Sequence, residues 1–327
     1  RKVRSGDILV STVRTYLRAI AKVDEASPDL IASTGFCVVR PREEIDSGFL
    51  GWVAKSEPFV GEVVARSVGV SYPAINASDL VAIDVPLPPL ETQRRIARFL
   101  DEKTARIDGL IQKKRALLDR LAEKRQALIT RAVTKGLNPD APMRPSGIDW
   151  LGDIPAHWDV LPLRRVLRSS TYGISASLEP TGEVAVLRMG NLANGEIDLT
   201  DLRFLDEVDE NLLLEADDVV FNRTNSLDLV GKASIFRGTA DFPVTLASYL
   251  VRFRFTERYL PEYANFVMGT GGLLRLARTL ALPSIGQANL NPSRYAQIEF
   301  PIPPVPEQAQ VVSYLAEQTE KLRSVSD

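Results

Sequence analysis

The sequence predicts an α+β protein: two related mixed α/β domains separated by a long coiled-coil helix. Three observations carry that prediction. Residues 91–136 form a charged stretch with apolar side chains at helical spacing. The opening of that stretch recurs near the other end of the chain. Short apolar runs bounded by Gly, Pro and Asn precede each copy.

The long stretch justifies the helix. Leu100, Ile107, Ile111, Leu118, Leu121 and Leu128 follow an alternating three–four spacing, and Ala132 extends it. Lys114 and Arg125 interrupt that seam, while Leu110 and Leu117 widen the stripe. Gly109 marks a kink or a close helix approach. Lys135, Gly136 and Asn138-Pro139 signal the stop. About 44 residues at roughly 1.5 Å each make a rod of about 66 Å. Basic residues outnumber acidic ones along it, which fits either a solvated face or a strut near a polyanion.

The repeat justifies the pair of domains. Leu87-Pro88-Pro89-Leu90-Glu91-Thr92-Gln93 is echoed by Ile302-Pro303-Pro304-Val305-Pro306-Glu307-Gln308. The offset that carries Gln93 to Gln308 also carries Ile96 to Val311, Leu100 to Leu315 and Thr104 to Thr319. Upstream, Gly6-Asp7-Ile8-Leu9-Val10 matches Asp217-Asp218-Val219-Val220-Phe221. Leu30–Ser33 matches Thr245–Ser248, and Ile75-Asn76 matches Leu290-Asn291. Nothing in the first copy corresponds to roughly Trp158–Asn211, so the chain reads as cut at both ends. The expected domains are 1–90, a partial first copy; 91–136, the helix; 137–157, a linker that wraps without folding; 158–305, the second copy; and 306–327, the start of a second helix.

Within the copies, strands are expected at residues 6–11, 36–40, 80–85, 184–188, 218–221, 249–255 and 296–300. Tyr249, Val251, Phe253 and Phe255 are expected to share one face. Helical spacing marks 48–64, 261–268 and 273–280. Polar loops are expected at 13–18, 67–79 and 284–291.

Composition narrows the function classes. The formal net charge of −2 argues against a uniformly basic nucleic-acid binder but leaves room for a local basic surface. Cys37 is the single cysteine, in an apolar run, which reads as a core thiol of a reducing compartment and excludes an internal disulfide. No apolar run is long enough to span a membrane. Catalytic motifs are unconvincing. Asn291-Pro292-Ser293-Arg294-Tyr295 lacks the second proline and adjacent aromatic of an amino-methyltransferase. Asp101-Glu102-Lys103 is a commonplace turn of mixed charge on a helix. Gly231-Lys232-Ala233 lacks the remainder of a phosphate-binding loop. The single histidine, His157, leaves no histidine-based triad or metal cluster.

Four pieces in order carry a resemblance: Pro86–Gln93, its echo Pro301–Gln308, the helix end Lys124-Arg125-Gln126-Ala127-Leu128-Ile129-Thr130, and Ser146-Gly147-Ile148-Asp149-Trp150-Leu151-Gly152-Asp153-Ile154-Pro155-Ala156-His157-Trp158. Together they resemble the specificity subunit of type I restriction–modification systems. Thr92-Gln93 departs from the usual Glu-Gln. The resemblance implies a cytoplasmic, non-catalytic subunit that recognises double-stranded DNA. Each target-recognition domain would read half of a bipartite site, and two antiparallel helices would set the spacing. It further implies DNA methyltransferase and restriction/translocase partner subunits. Those partners, not this chain, would use S-adenosylmethionine, ATP and Mg2+.

The residue types that read base edges and hold phosphates place the candidate contacts in polar loops beside strands. In the first domain they are Arg14, Tyr16, Arg18, Ser71, Tyr72 and Asn76. In the second they are Arg188, Asn222, Arg223, Thr224, Asn225, Lys232, Gln287, Asn289 and Asn291. The alternative is a coiled-coil scaffold that gathers protein partners without touching DNA.

Overall fold

The computed structural model describes every residue except Ile285 and Asp327. The chain divides into two compact units, Arg1–Ala116 and Leu117–Asp327.

In the first unit, β1 (Ile8–Ser11) lies between β2 (Ile20–Lys22) and β3 (Phe36–Val39), antiparallel to both. Helix α1 (Ser47–Lys55) starts at Asp46, whose carboxylate accepts from the Phe49 amide, and α2 (Glu57–Ala65) follows after Ser56. The stretch expected as one helix is two, because Pro58 fits only the first turn of a new helix. Residues 80–85 do not form the expected strand. Asn76 starts a short helix, α3 (Ala77–Val81), and Leu80 and Ile83 are buried three positions apart, a helical spacing. Ile8, Val10, Cys37, Ala54 and Leu80 share this unit's core.

Helix α4 (Leu90–Lys135) runs 46 residues without interruption. Nothing lies within 4 Å of a Cβ built on Gly109, so the close helix approach expected there is not met among the described residues. Ile107, Ile111 and Leu118 are 55%, 44% and 39% exposed, so that part of the seam is largely open among the described residues.

The second unit opens on a hairpin of β4 (Met143–Pro145) and β5 (Asp153–Pro155). Leu151, Ile154 and Trp158 are buried together against it, so the expected linker folds after all. Its Pro and Gly content masked two three-residue strands. The strands that follow are β6 (Asp159–Pro162), β7 (Leu167–Tyr172), β8 (Val184–Leu187), β9 (Leu192–Ala193), β10 (Glu196–Ile197), β11 (Arg203–Leu205), β12 (Val219–Asn222), β13 (Thr224–Asn225), β14 (Ala233–Ile235), β15 (Val244–Leu246) and β16 (Leu250–Phe255). After α5 (Pro261–Met268) and α6 (Gly271–Leu280) come β17 (Leu282–Ser284), β18 (Gln287–Asn289), α7 (Pro292–Tyr295), β19 (Glu299–Ile302) and α8 (Val305–Ser326). The main sheet has the order β7-β16-β12-β14-β10-β9. Its strand β12 sends Val219 and Phe221 into one apolar cluster and Val220 into another. Val251 and Phe253 join the first cluster and Leu250 the second. Tyr249 precedes the strand and is 43% exposed, so the expected one-face set keeps only its later members.

Two side-chain clasps recur in both units and give the repeat a physical basis. Asp7 takes Arg40 Nε and Nη2 at 2.7 Å each and the Arg4 amide at 2.7 Å. Asp218 takes Arg254 Nε at 2.6 Å and Nη2 at 3.0 Å, and the Glu215 amide at 2.8 Å. Each aspartate follows a left-handed residue, Gly6 at φ 86° and Asp217 at φ 71°. The strands behind them keep the same register, Ile8 opposite Val39 and Val219 opposite Phe253. The second clasp is glutamine. Gln93 Nε2 donates to Glu44 O and Pro88 O, and its Oε1 accepts from the Asp46 amide. Gln308 Nε2 donates to Arg258 O and Pro303 O, and its Oε1 accepts from the Leu260 amide.

Arg40 and the Arg4 amide hold the Asp7 carboxyl below its ordinary value, against the opposing effect of burial. A depressed carboxyl contributes stability that is fully present above the unfolded value of about 3.9. That contribution is lost as pH falls through the lower folded value. The denaturation midpoint of Asp7→Asn is therefore expected to vary less below pH ~4 than that of the parent chain. Parallel pH profiles for the two proteins would refute the assignment.

Candidate nucleic-acid interface

In the second unit, chain geometry brings most of the expected contacts to one edge. Arg223 follows β12. Its amide donates to Tyr249 O, and its carbonyl accepts from the Leu290 amide. Its guanidinium sits 5.2 Å from the Tyr172 ring centre and donates to Asn289 Oδ1 at 3.1 Å and Ser248 O at 3.4 Å. These partners fix the planar fork, so its donors sit in one defined geometry. Gln287 and Asn289 lie on β18, which pairs with β13 through Thr224 opposite Asn289. Asn225 Oδ1 accepts from the Ser226 amide, which leaves its amide nitrogen for an acceptor. Arg188 is tied to this edge because Leu187 O accepts from the Ala247 amide, next to Ser248. Its Nη2 donates to Asp201 Oδ2 at 2.8 Å and Asp201 O at 3.0 Å.

Four expected contacts are buried, lie elsewhere or serve a structural task. Asn222 and Thr224 are 2% and 4% exposed; β12 is buried along its whole length, so Asn222 lies inside, and of the two β13 residues it is Thr224 that is buried. Lys232 instead lines a 240 Å³ cavity with Arg125, Asn265 and Phe266. Asn291 is exposed but has a structural task. Its Oδ1 accepts from the Ser293 and Arg294 amides and caps α7. His157 pairs with Glu307 at 2.8 Å.

In the first unit the matching edge is built from residues 13–18 and 67–76. Val13 bridges Ala74 as Thr224 bridges Asn289 in the second unit. Arg14 and Arg18 are both left-handed, at φ 51° and 53°. The Arg14 guanidinium stands 4.6 Å over the Tyr72 ring, and its amide donates to Pro73 O. Tyr16 and Tyr72 are 52% and 64% exposed, and Ser71 also faces solvent. Arg18 is less available, because its guanidinium clasps both Glu57 oxygens. Asn76 is the residue before α3, with Nδ2 3.4 Å from Asp79 Oδ2.

Sequence reasoning missed Tyr172 and Asp201. Tyr172 ends β7, and its signal was the alternation of Leu167–Tyr172 before Gly173. Asp201 had no local signal, since only the fold places it beside Arg188. Among the described residues no group of three or more His, Cys, Asp or Glu could hold a metal ion. No described helix is long and apolar enough to cross a membrane.

The chain is thus built from two copies of one α+β module, each with a cation stacked on an exposed tyrosine at a polar loop edge. Comparison with known proteins makes this specific. Residues 2–120 match the family model described as the type I restriction modification DNA specificity domain. The EcoKI type I restriction enzyme specificity subunit of Escherichia coli K12 is 27% identical over 321 residues, covering 95% of this chain and 67% of that one. A solved chain described under complex assembly and conformational transition of the type I R-M system superposes with a TM-score of 0.73 at 20% identity. That match covers 99% of this chain and 76% of the other. The HsdS subunit from Thermoanaerobacter tengcongensis gives a TM-score of 0.52 at 20% identity, covering 99% and 75%. The chain is thus similar to specificity subunits of type I restriction–modification systems over nearly its whole length, and it shares their fold.

Proposed function

We propose that each unit of this chain reads one half of a bipartite site in double-stranded DNA, with α4 contributing to the spacing. The observation that carries this reading is the duplication itself. The same strand register and the same buried clasps present a polar edge twice, with different residues on each edge. Equal scaffolds with unequal edges suit an asymmetric two-part sequence. The reading assigns no chemistry to this chain. Methyl transfer belongs to methyltransferase subunits using S-adenosylmethionine. Translocation and cleavage belong to a restriction subunit using ATP and Mg2+. The exposed seam of α4 is suited to a second, antiparallel helix. The setting is the cytoplasm, where such partners meet DNA.

Arg223 supplies the sharpest test. With the methylating subunits present, Arg223→Ala is expected to weaken specific DNA binding by about 1–3 kcal/mol and relax one position of a single half-site. A titration against specific and random duplexes measures both. An unchanged affinity and half-site preference would remove Arg223 from the contact set. A complex that binds no duplex at all would favour the scaffold reading.

A further inference from the structure

In the first unit, the edge that carries Arg14 and Tyr72 is apolar as well as polar. Val13, Leu17, Val68, Val70 and Tyr72 are all exposed there, and Val70 is exposed in full. Single exposed valines are ordinary, whereas apolar side chains gathered on one edge mark a contact surface.

The turn that carries Val70 is firmly mounted. The Val68 amide donates to Ala74 O at 2.8 Å, and its carbonyl accepts from the Ala74 amide at 3.0 Å. Ala74 also bridges Val13, the Arg14 amide donates to Pro73 O at 2.8 Å, and the Ile75 amide donates to Thr12 O at 2.9 Å. At the base of the turn, Thr15 Oγ1 and Ser67 Oγ share a hydrogen bond of 2.8 Å, and Ser67 Oγ donates to Val63 O at 2.7 Å. Gly69 turns the chain at φ 117°, and a Cβ there would stand 3.2 Å from Tyr72 O. Residues 69–73 are thus closed into a tight loop with fixed ends, beside the strand that leads to Arg14. Val70 stands at its tip.

The chemistry of Val70 limits what it can recognise. Its side chain has no donor or acceptor, so it holds no phosphate and reads no hydrogen-bonding base edge. Among the groups that bases present in the major groove, the thymine 5-methyl is the apolar one. Branching at Cβ restricts χ1, so the two valine methyls are set in place before contact. The neighbouring Tyr72 ring carries the Arg14 guanidinium at 4.6 Å, which puts a cation beside the valine for a phosphate or a guanine edge.

We propose that the first unit reads a thymine of its half-site through the 5-methyl group, with Val70 as the contacting residue. This rests on the reading of the Arg14–Tyr72 edge as a DNA surface. The contact discriminates by burying one methyl group against another apolar side chain. Cytosine presents an amino donor and no methyl there, and a purine presents acceptors, so each loses the contact.

The test uses the full chain assembled with methylating subunits, on the bipartite site mapped by sequencing the DNA that this complex methylates. Duplexes then carry deoxyuridine in place of one thymine at a time. Deoxyuridine keeps the base pairing and lacks only the methyl. At one position of one half-site, affinity is expected to fall roughly fourfold, the worth of one buried methyl. Val70→Ala is expected to bind the thymine duplex more weakly by a similar factor and to bind thymine and deoxyuridine duplexes equally at that position. Val70→Ile keeps the branched apolar tip and is expected to retain the discrimination. Circular dichroism checks that both variants fold. Sequence-specific binding in which no thymine responds to deoxyuridine overturns the methyl contact and leaves the DNA reading standing. So does a thymine-to-deoxyuridine ratio that Val70→Ala leaves unchanged. Weaker assembly of Val70→Ala with the methylating subunits, at an unchanged ratio, overturns the methyl contact in favour of a protein contact. A complex that binds no duplex overturns the DNA reading itself, and the methyl contact with it.

Discussion

Asp218→Ala is expected to destabilise the second unit by about 3–5 kcal/mol. The carboxylate is 2% exposed and faces two guanidiniums. Arg254 engages both its oxygens, and Arg252 Nε stands 3.9 Å away. Removing the aspartate leaves two positive charges in a low-dielectric interior with one shared counter-ion gone. Arg252 retains the Leu213 and Asn211 carbonyls, and Arg254 retains the exposed Glu215. Those contacts lessen the loss but do not restore neutrality. By contrast, the more exposed pair Arg237–Glu196 is expected to be worth less than about 1 kcal/mol. Denaturant unfolding of Asp218→Ala and Arg237→Ala, followed by far-ultraviolet circular dichroism, compares the two. A cost for Asp218→Ala no larger than that for Arg237→Ala would refute the buried-charge argument.

Replacing Gln308 by Leu is expected to cost about 3 kcal/mol, since each buried polar group left without a partner costs about 1–3 kcal/mol. The residue is fully buried, and its amide closes three bonds at once. Leucine fills the volume but orphans the Leu260 amide and the Arg258 and Pro303 carbonyls. This clasp fixes the start of α8 to the turn before α5, so the loss falls on the whole junction. Gln93→Leu is expected to do the same in the first unit, through the Asp46 amide and the Glu44 and Pro88 carbonyls. Both variants are read by thermal unfolding. A loss at one position and none at the other would break the claimed equivalence of the two junctions.

Much of this architecture was written locally. The helix of 46 residues was legible because its seam, caps and charge all lie within one stretch. The Pro-Pro-…-Gln repeat was legible as a duplication, but the role of its glutamines depends on carbonyls and amides contributed by other segments of each unit. Matching Asp7 with Asp218 was likewise local, though nothing in the sequence revealed that both bind an arginine two strands' length away. The errors were also physical. Leu80–Val85 reads as a strand by composition, yet Leu80 and Val81 end the short helix α3, and Ile83 is buried in the turn that follows it. The hairpin of β4 and β5 hid in a stretch of prolines and glycines that composition assigns to a linker.

For the candidate interface, residue type pointed to the loops but not to the direction in which each side chain faces. Asn222 and Arg223 are neighbours in sequence. One is buried at the end of β12, and the other stacks on Tyr172 and reaches Asn289. Lys232 is drawn into a cavity beside Arg125, and Asn291 is spent on a helix cap. The sequence by itself determined the repeat, the long helix and the chemical character of the loops, because each depends on spacing or composition within a short segment. Only the tertiary structure decided which polar side chains share an edge and which are clamped inside. Those outcomes depend on packing between segments far apart in the chain, and local periodicity carries no record of it.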